Sequence, residues 1–139
     1  MPREDSDASH SAPTTILLVD DHPHVRKLMR ELIETYDDFK VVGEATNGEE
    51  AVLLTVALKP AAVVMDVHLP VLSGIAATTL IKTTNPFTVV IGLTAGDPHE
   101  DGKAMIIAGA AAIISKAEVL SALHPAIVHA VKQVKNPVY

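Results

Sequence analysis

Charged and hydroxyl side chains follow several short apolar runs of this sequence. Asp20 and Asp21 come directly after one run, Asp66 after a second, Thr94 after a third, and Lys116 close behind a fourth. Three carboxylates brought together repel one another, and a hard divalent cation such as Mg²⁺ relieves that repulsion. The lysine then offers a point charge to an anionic oxygen, and the threonine offers a hydroxyl donor. Such a set suits phosphoryl transfer, with a carboxylate as the covalent acceptor.

These side chains can meet only if the apolar runs are neighbouring strands of one sheet. The sequence predicts five strands, at 15–19, 39–42, 61–65, 88–93 and 110–114. Apolar residues at helical spacing predict five helices, at about 25–36, 48–58, 73–84, 98–108 and 121–134. Strands that alternate with helices pair in parallel, with helices on both faces of the sheet. Ligands bind such sheets at the carboxyl ends of the strands, where the side chains named above lie.

Length and composition limit the classes of protein to which the chain can belong. Its 139 residues predict one domain over 14–135, after a disordered leader at 1–13 and before a short tail at 136–139. A formal net charge of −6 argues against nucleic-acid binding. The absence of cysteine excludes disulfides and thiolate metal sites. No apolar run is long enough to span a membrane, so we expect a cytoplasmic protein.

Four stretches resemble the signatures of the receiver domains of two-component response regulators. They are ILLVDD at 16–21, MDVHLPVLSG at 65–74, LTA at 93–95 and SK at 115–116. Any one of them alone is weak evidence, but they occur in order, each at the end of its own predicted strand. The resemblance covers roughly residues 14–135. It implies an α/β, flavodoxin-like (βα)5 fold, a doubly wound parallel five-stranded sheet with strand order 2-1-3-4-5.

The resemblance also implies a Mg²⁺ site with a defined set of ligands. Asp21 resembles the direct metal ligand, and Asp20 resembles its partner, which often acts through water. Asp66 and the backbone carbonyl of His68 would complete the protein's share of the ligands.

The resemblance further implies a signalling switch. Asp66 would accept a phosphoryl group from a histidine kinase or phosphotransfer protein, Lys116 would pair with that group, and Thr94 would move to bond it. The movement would reshape the surface of helix 4, strand 5 and helix 5, where a downstream partner or a second copy in a homodimer could bind. Such a protein promotes only its own phosphorylation and dephosphorylation and is not an enzyme acting on other substrates.

One departure from the family pattern favours an alternative function. Family members often carry an aromatic residue three positions before the lysine, and here that position is Ile113. The usual coupling between the threonine and an aromatic ring therefore cannot operate in its ordinary form. The alternative is a protein–protein interaction module of the same fold that works without phosphate.

A second alternative belongs to a different class. His22 and His24 follow the aspartate pair, and together with His68 they suggest a zinc site in a metal-dependent hydrolase. This hypothesis is the weaker one, because no histidine lies on a predicted helix at metal-ligand spacing to a partner.

Overall fold

The computed structural model describes residues 12–135, which form alternating strands and helices. The strands are β1 (Thr14–Val19), β2 (Phe39–Ala45), β3 (Ala62–Asp66), β4 (Val89–Thr94) and β5 (Ala112–Ser115). The helices are α1 (Pro23–Ile33), α2 (Gly48–Leu58), α3 (Gly74–Thr84), α4 (Pro98–Ala108) and α5 (Val119–Lys135). Positions 1–11 of the predicted leader, and the whole predicted tail, lie outside the described residues. No helix within residues 12–135 combines the length and the apolar character that crossing a membrane requires.

All five strands belong to one parallel sheet of order β2-β1-β3-β4-β5, which confirms the predicted topology. The register aligns the strand ends that carry chemistry. Asp66 pairs with Leu93, so Thr94 lies one residue beyond the partner of Asp66. Thr94 in turn pairs with Ser115, directly before Lys116. The functional side chains of β3, β4 and β5 therefore emerge at the same edge of the sheet.

Strand β1 shows why its sequence is apolar at every position. Ile16 and Leu18 pack into a core layer with residues of α1 and α5, whereas Leu17 and Val19 pack into the opposite layer with residues of α2, α3 and α4. All four side chains are fully buried. Burial of each such side chain stabilises the fold by roughly 1.5–3 kcal/mol, so both faces of the strand must be apolar.

Three of the helices start at a side-chain cap. The side chains of Asn47, Ser73 and Asp97 each accept a hydrogen bond from a backbone N–H in the first turn of the helix they precede. Such caps satisfy donors that have no partner within the helix. Helix α4 ends at Ala108, and Gly109 caps it with a φ of 116°, which is open to glycine but unfavourable for other residues. The starts of α2, α3 and α4 are thus fixed by local hydrogen bonds.

Helix α5 begins earlier than predicted. The sequence predicts a start at about residue 121, but the helix starts at Val119 and follows a 3-10 turn at Lys116–Glu118. The hydroxyl of Ser115 accepts a backbone N–H from this turn, which runs directly into the helix. Pro125 therefore lies inside the helix rather than in its first turn. It leaves the carbonyl of Ser121 without a helical donor, and the exposed position of Ser121 lets water take that role.

Strand β2 is longer than the predicted segment 39–42. Ile16 pairs with Val41 and Leu17 pairs with Gly43, so Val42 is an extra residue in the ladder. A bulge absorbs one residue and lets the pairing continue, which carries the strand to Ala45.

Candidate functional site

Asp66 ends β3 at the centre of the sheet and is only 4% exposed. One carboxylate oxygen, Oδ1, accepts a hydrogen bond from the backbone N–H of His68 at 2.9 Å. The other, Oδ2, accepts one from the ammonium of Lys116 at 2.8 Å. Because both oxygens are held, the carboxylate has a defined orientation at the carboxyl edge of the sheet.

Lys116 bridges two buried carboxylates. Its Nζ lies 3.0 Å from Oδ2 of Asp20 as well as 2.8 Å from Oδ2 of Asp66. Burial lowers the pKa of Lys116, but hydrogen bonds to Asp66 and Asp20 outweigh it and raise that pKa above its ordinary value. Burial raises the pKa of Asp20, but the backbone N–H of His22 and the ammonium of Lys116 outweigh it and lower that pKa. These two groups are therefore both charged at neutral pH.

The carboxylates of Asp20, Asp21 and Asp66 and the imidazole of His22 form a group suited to a cation. Each offers a ligand atom, and these atoms all lie within 4.8 Å of one another. Oδ1 of Asp21 is buried and accepts no hydrogen bond among the described residues, and its nearest polar neighbour is Nδ1 of His22 at 3.2 Å. A buried carboxylate oxygen that accepts no hydrogen bond is costly, and a cation would compensate it. A donor set dominated by carboxylate oxygens fits Mg²⁺.

Thr94 ends β4 fully buried, and its hydroxyl points to helix α4. Oγ1 donates to Oδ2 of Asp101 at 2.5 Å and accepts the backbone N–H of Gly96 at 2.9 Å. Between the side chains of Thr94 and Asp66 the described structure has no hydrogen bond. Sequence reasoning missed Asp101, which lies seven positions after the threonine and has no motif to mark it.

The side chain of His68 also contacts Asp101. Its Nε2 lies 3.2 Å from Oδ2 of Asp101, so His68 and Thr94 share one carboxylate oxygen. The hydrogen bond from Thr94 lowers the pKa of Asp101, burial opposes it, and His68 adds a further lowering, so that pKa lies below its ordinary value. The imidazole therefore belongs to the polar contacts of α4, whereas the role of the His68 carbonyl as a metal ligand stays a prediction.

The loop after Asp66 approaches the start of α3 very closely. A Cβ on Gly74 would lie 2.4 Å from the carbonyl oxygen of Asp66 and 2.9 Å from Cα of Val67. Only glycine fits this contact between two backbones. The same loop contains Val71, which is 76% exposed and has a φ of 69°, a conformation that β-branched residues rarely adopt.

A second contact that sequence reasoning missed is made to the backbone carbonyl of Asp20. The guanidinium of Arg26 donates to the backbone carbonyl of Asp20 at 2.8 Å and to the carboxylate of Glu44 at 2.9 Å. Arg30 donates to the same carboxylate. The side chain of Arg26 is only 17% exposed. It joins α1 to the ends of β1 and β2.

The three histidines of the zinc hypothesis do not converge. The ring of His24 lies 6.3 Å from that of His22, and the imidazole of His68 contacts Asp101 instead of the aspartate cluster. Within residues 12–135, the group of possible metal ligands contains one histidine, His22.

A groove of about 490 Å³ lies between α4 and β5. Ile113 forms its floor and fills the space above two glycines, since a Cβ on Gly92 or Gly102 would lie 2.9 or 2.7 Å from its side chain. Ile106 and Ile107 of α4 form the rim and are 49% and 86% exposed. The surface at α4 and β5 is thus apolar and open.

Comparisons with known proteins agree with this fold and arrangement. The family model of the response regulator receiver domain matches residues 16–128. Since this match covers most of the chain, the chain belongs to the receiver-domain family of response regulators. Its structure is similar to a LuxR-family two-component response regulator from Aurantimonas sp. SI85-9A1, with a TM-score of 0.78, 33% identity and coverage of 85% of this chain and 87% of that chain. It is also similar to the response regulator domain of Thermotoga maritima CheB, with a TM-score of 0.75, 28% identity and coverage of 91% and 99%.

Curated relatives fall into more than one class. The nitrate/nitrite response regulator protein NarL of Escherichia coli (strain K12) is 31% identical over 122 residues, which are 85% of this chain and 56% of that protein. A protein-glutamate methylesterase/protein-glutamine glutaminase of Methanococcoides burtonii is 43% identical over 75 residues, which are 54% of this chain and 21% of that protein. The chain thus spans between 21% and 56% of the length of these relatives.

Proposed function

We propose that this chain is a phosphorylation-dependent signalling switch whose acceptor is Asp66. The observation that carries the proposal is the contact of the Asp66 carboxylate with the ammonium of Lys116, beside the aspartate pair Asp20 and Asp21. The lysine, and a cation held by the aspartates, would both stabilise the negative charge that develops during phosphoryl transfer. A histidine kinase or a phosphotransfer protein would be the donor.

The reaction is a displacement at phosphorus. An oxygen of Asp66 forms the new O–P bond while the bond between phosphorus and the donor's histidine nitrogen breaks, and the imidazole leaves. Lys116 pairs with the phosphoryl oxygens, and the backbone N–H of His68 keeps the acceptor oriented. Asp20, Asp21, Asp66 and the backbone carbonyl of His68 would hold Mg²⁺. When bound, Mg²⁺ would supply positive charge that offsets the negative charge of the carboxylates and of the phosphoryl group.

The response to phosphorylation would travel through Thr94 to helix α4. A phosphoryl group on Asp66 offers the hydroxyl of Thr94 a doubly charged acceptor in place of Asp101. A shift of the threonine changes the contacts of α4, whose exposed Ile106 and Ile107 border the groove floored by Ile113. This α4-β5-α5 surface would then bind a downstream partner or a second copy.

The proposal extends to the reactions that the protein promotes and to its place in the cell. We expect it to promote only its own phosphorylation and dephosphorylation, in the cytoplasm. Because the chain spans a limited part of its curated relatives, any output of a longer protein would depend on segments beyond this chain.

One observation favours a second candidate, an interaction module that works without phosphate. Position 113 is an isoleucine that fits tightly against Gly92 and Gly102. Because it has no aromatic ring, no ring at this position can follow a movement of Thr94. Under this alternative, the groove would bind its partner equally well whether or not Asp66 is phosphorylated.

Phosphorylation by a small donor tests the proposal. The protein is incubated with acetyl phosphate with and without Mg²⁺, and its intact mass is measured. We expect one added phosphoryl group, dependent on Mg²⁺ and lost in Asp66→Asn. Asp37→Asn, which changes an exposed aspartate away from the site, is the matched control and should be phosphorylated like the wild type. A folded wild-type protein that gains no mass would favour the interaction module.

A further inference from the structure

Asp101 contacts two residues that lie close to the acceptor in the sequence or the sheet, Thr94 and His68. Its Oδ2 lies 2.5 Å from Oγ1 of Thr94 and 3.2 Å from Nε2 of His68. The carboxylate is 21% exposed and belongs to the first turn of α4. We call these two contacts to one oxygen the Asp101 latch. The latch joins the end of β4, the loop after β3 and the helix that carries the exposed isoleucines.

The latch competes with the phosphoryl group for a single proton. The hydroxyl of Thr94 has one hydrogen to donate, and here it donates that hydrogen to Asp101. Donation to a phosphoryl oxygen on Asp66 therefore requires that the bond to Asp101 break. A hydrogen bond to a charged carboxylate is stronger than one between neutral groups, so breaking it is costly. Its cost opposes the phosphorylated conformation.

The local sequence allows Asp101 to reach the threonine. Gly96 lies beside both partners, and a Cβ there would be in ordinary van der Waals contact with Oδ2 of Asp101 and Oγ1 of Thr94, at 3.4 and 3.5 Å. Its backbone N–H also donates to Oγ1 and so orients the hydroxyl towards the carboxylate. Glu100, the acidic neighbour in the same turn, is exposed and makes no hydrogen bond to Thr94 in the part of the chain described. The latch is thus a property of Asp101 and not of acidic residues in that turn generally.

We propose that Asp101 is a positioning residue that holds Thr94 and α4 in the unphosphorylated arrangement and thereby limits how readily the protein responds to phosphorylation. The proposal rests on the proposed function, since it assigns Asp101 to the switch that Asp66 would drive. Asp101 acts through Thr94 and has no direct role at the phosphorus atom. Loss of its carboxylate removes a cost of activation and leaves the acceptor site in place.

Binding of beryllium fluoride, a mimic of the phosphoryl group, measures this cost directly. The whole chain is titrated with beryllium fluoride in the presence of Mg²⁺, and binding is followed through backbone amide signals in NMR spectra. We expect Asp101→Ala to bind about tenfold more tightly than Glu100→Ala, since a hydrogen bond to a charged group is lost from the competing state only. Glu100→Ala is the matched control because it removes an acidic side chain from the same turn.

Two further variants separate a positioning role from a general effect on the helix. In a Thr94→Ala background the hydrogen bond from Thr94 to Asp101 is already lost, so adding Asp101→Ala should leave the affinity for beryllium fluoride unchanged. Asp101→Asn keeps an acceptor oxygen without its charge and should lie between the wild type and Asp101→Ala. If Asp101→Ala fails to fold, Asp101→Asn still provides the comparison.

The possible results distinguish the latch from the proposed function. Equal affinities of Asp101→Ala and Glu100→Ala, or an effect that persists in the Thr94→Ala background, would overturn the latch and leave Asp66 as the acceptor. A wild-type protein that is folded yet binds no beryllium fluoride would contradict the proposed function, and the latch with it.

Discussion

Nζ of Lys116 lies 2.8 Å from Oδ2 of Asp66 and joins the end of β5 to the end of β3, across the strand β4 that separates them. The same ammonium lies 3.0 Å from Oδ2 of Asp20, which directly follows β1. One positive charge therefore serves two carboxylates that are almost fully buried. This relationship makes the lysine a structural cation before any phosphoryl group arrives.

Removal of that cation should destabilise the protein in a way that Mg²⁺ corrects. We expect Lys116→Ala to lower the free energy of unfolding by about 2–4 kcal/mol without Mg²⁺, because two buried carboxylates lose their partner. Added Mg²⁺ should restore more stability in this variant than in the wild type. Urea unfolding with and without Mg²⁺ measures both effects. Lys40→Ala, at an exposed position on β2, is the control, and an equal loss in the two variants would argue against a structural role for Lys116.

Gly74→Ala should disturb the acceptor through the backbone. Its new Cβ would lie 2.4 Å from the carbonyl oxygen of Asp66, so the loop or the helix must move. We expect a loss of about 2 kcal/mol in unfolding free energy, and a slower gain of phosphoryl mass from acetyl phosphate. Gly96→Ala, whose nearest contact would be 3.4 Å, should cost less stability. Equal stabilities of the two variants would show that the close approach is unimportant.

Val71→Asn should stabilise the protein. Val71 has a φ of 69° and is largely exposed, so the substitution relieves strain and loses little burial. Asparagine tolerates this conformation, and we expect a gain of about 1 kcal/mol. Val71→Ala keeps a Cβ without the side-chain amide and should gain less. Thermal unfolding compares the three proteins, and a Val71→Asn variant no more stable than Val71→Ala would contradict the prediction.

Glu44 should make stability depend on pH in the acidic range. Burial raises the pKa of Glu44, but hydrogen bonds from Arg30 and Arg26 outweigh it and hold that pKa below its ordinary value of 4.5. A carboxyl with a lowered pKa stabilises the fold above its unfolded pKa, and this contribution disappears as the pH falls through the folded pKa. At neutral pH, Glu44→Gln should be less stable than the wild type by about 1 kcal/mol.

The pH dependence itself is the test of this ion-pair cluster. The difference in unfolding free energy between wild type and Glu44→Gln should be constant near neutrality, begin to narrow near pH 4.5 and vanish under more acidic conditions. The control, Glu31→Gln, changes an exposed carboxylate on the same helix as the two arginines and should show a smaller difference throughout. A difference that is unchanged in acid would mean that the carboxylate charge of Glu44 does not stabilise the fold.

The sequence was sufficient to predict the strand ends that carry the site. Strands buried on both faces are apolar without interruption, so the first polar residue marks the edge of the sheet, as Asp20 and Asp66 do. The parallel topology then brings those ends together without any knowledge of side-chain contacts. This is why the parallel sheet and the aspartate cluster could be predicted from the chain alone, whereas the strand order was predicted from the resemblance to receiver domains.

Other features depend on contacts that no local pattern encodes. The bond between Thr94 and Asp101 requires the distance between β4 and the first turn of α4, which tertiary packing sets. Arg26 has the charge of a surface residue, and only the position of β2 explains its partial burial against Glu44. The extension of β2 likewise depends on a bulge opposite β1, at Val42. Sequence periodicity reports which face a residue occupies but not which partner it meets.

Chemical trapping of the phosphorylated residue tests the central claim most directly. The protein is treated with acetyl phosphate and Mg²⁺ and then with sodium borohydride, which reduces an acyl phosphate to an alcohol. Peptide sequencing by mass spectrometry then locates the product. We predict homoserine in place of aspartate at position 66 only, and none without Mg²⁺. Homoserine at a different aspartate, or none in a protein shown to be folded, would contradict the assignment of Asp66 as the acceptor.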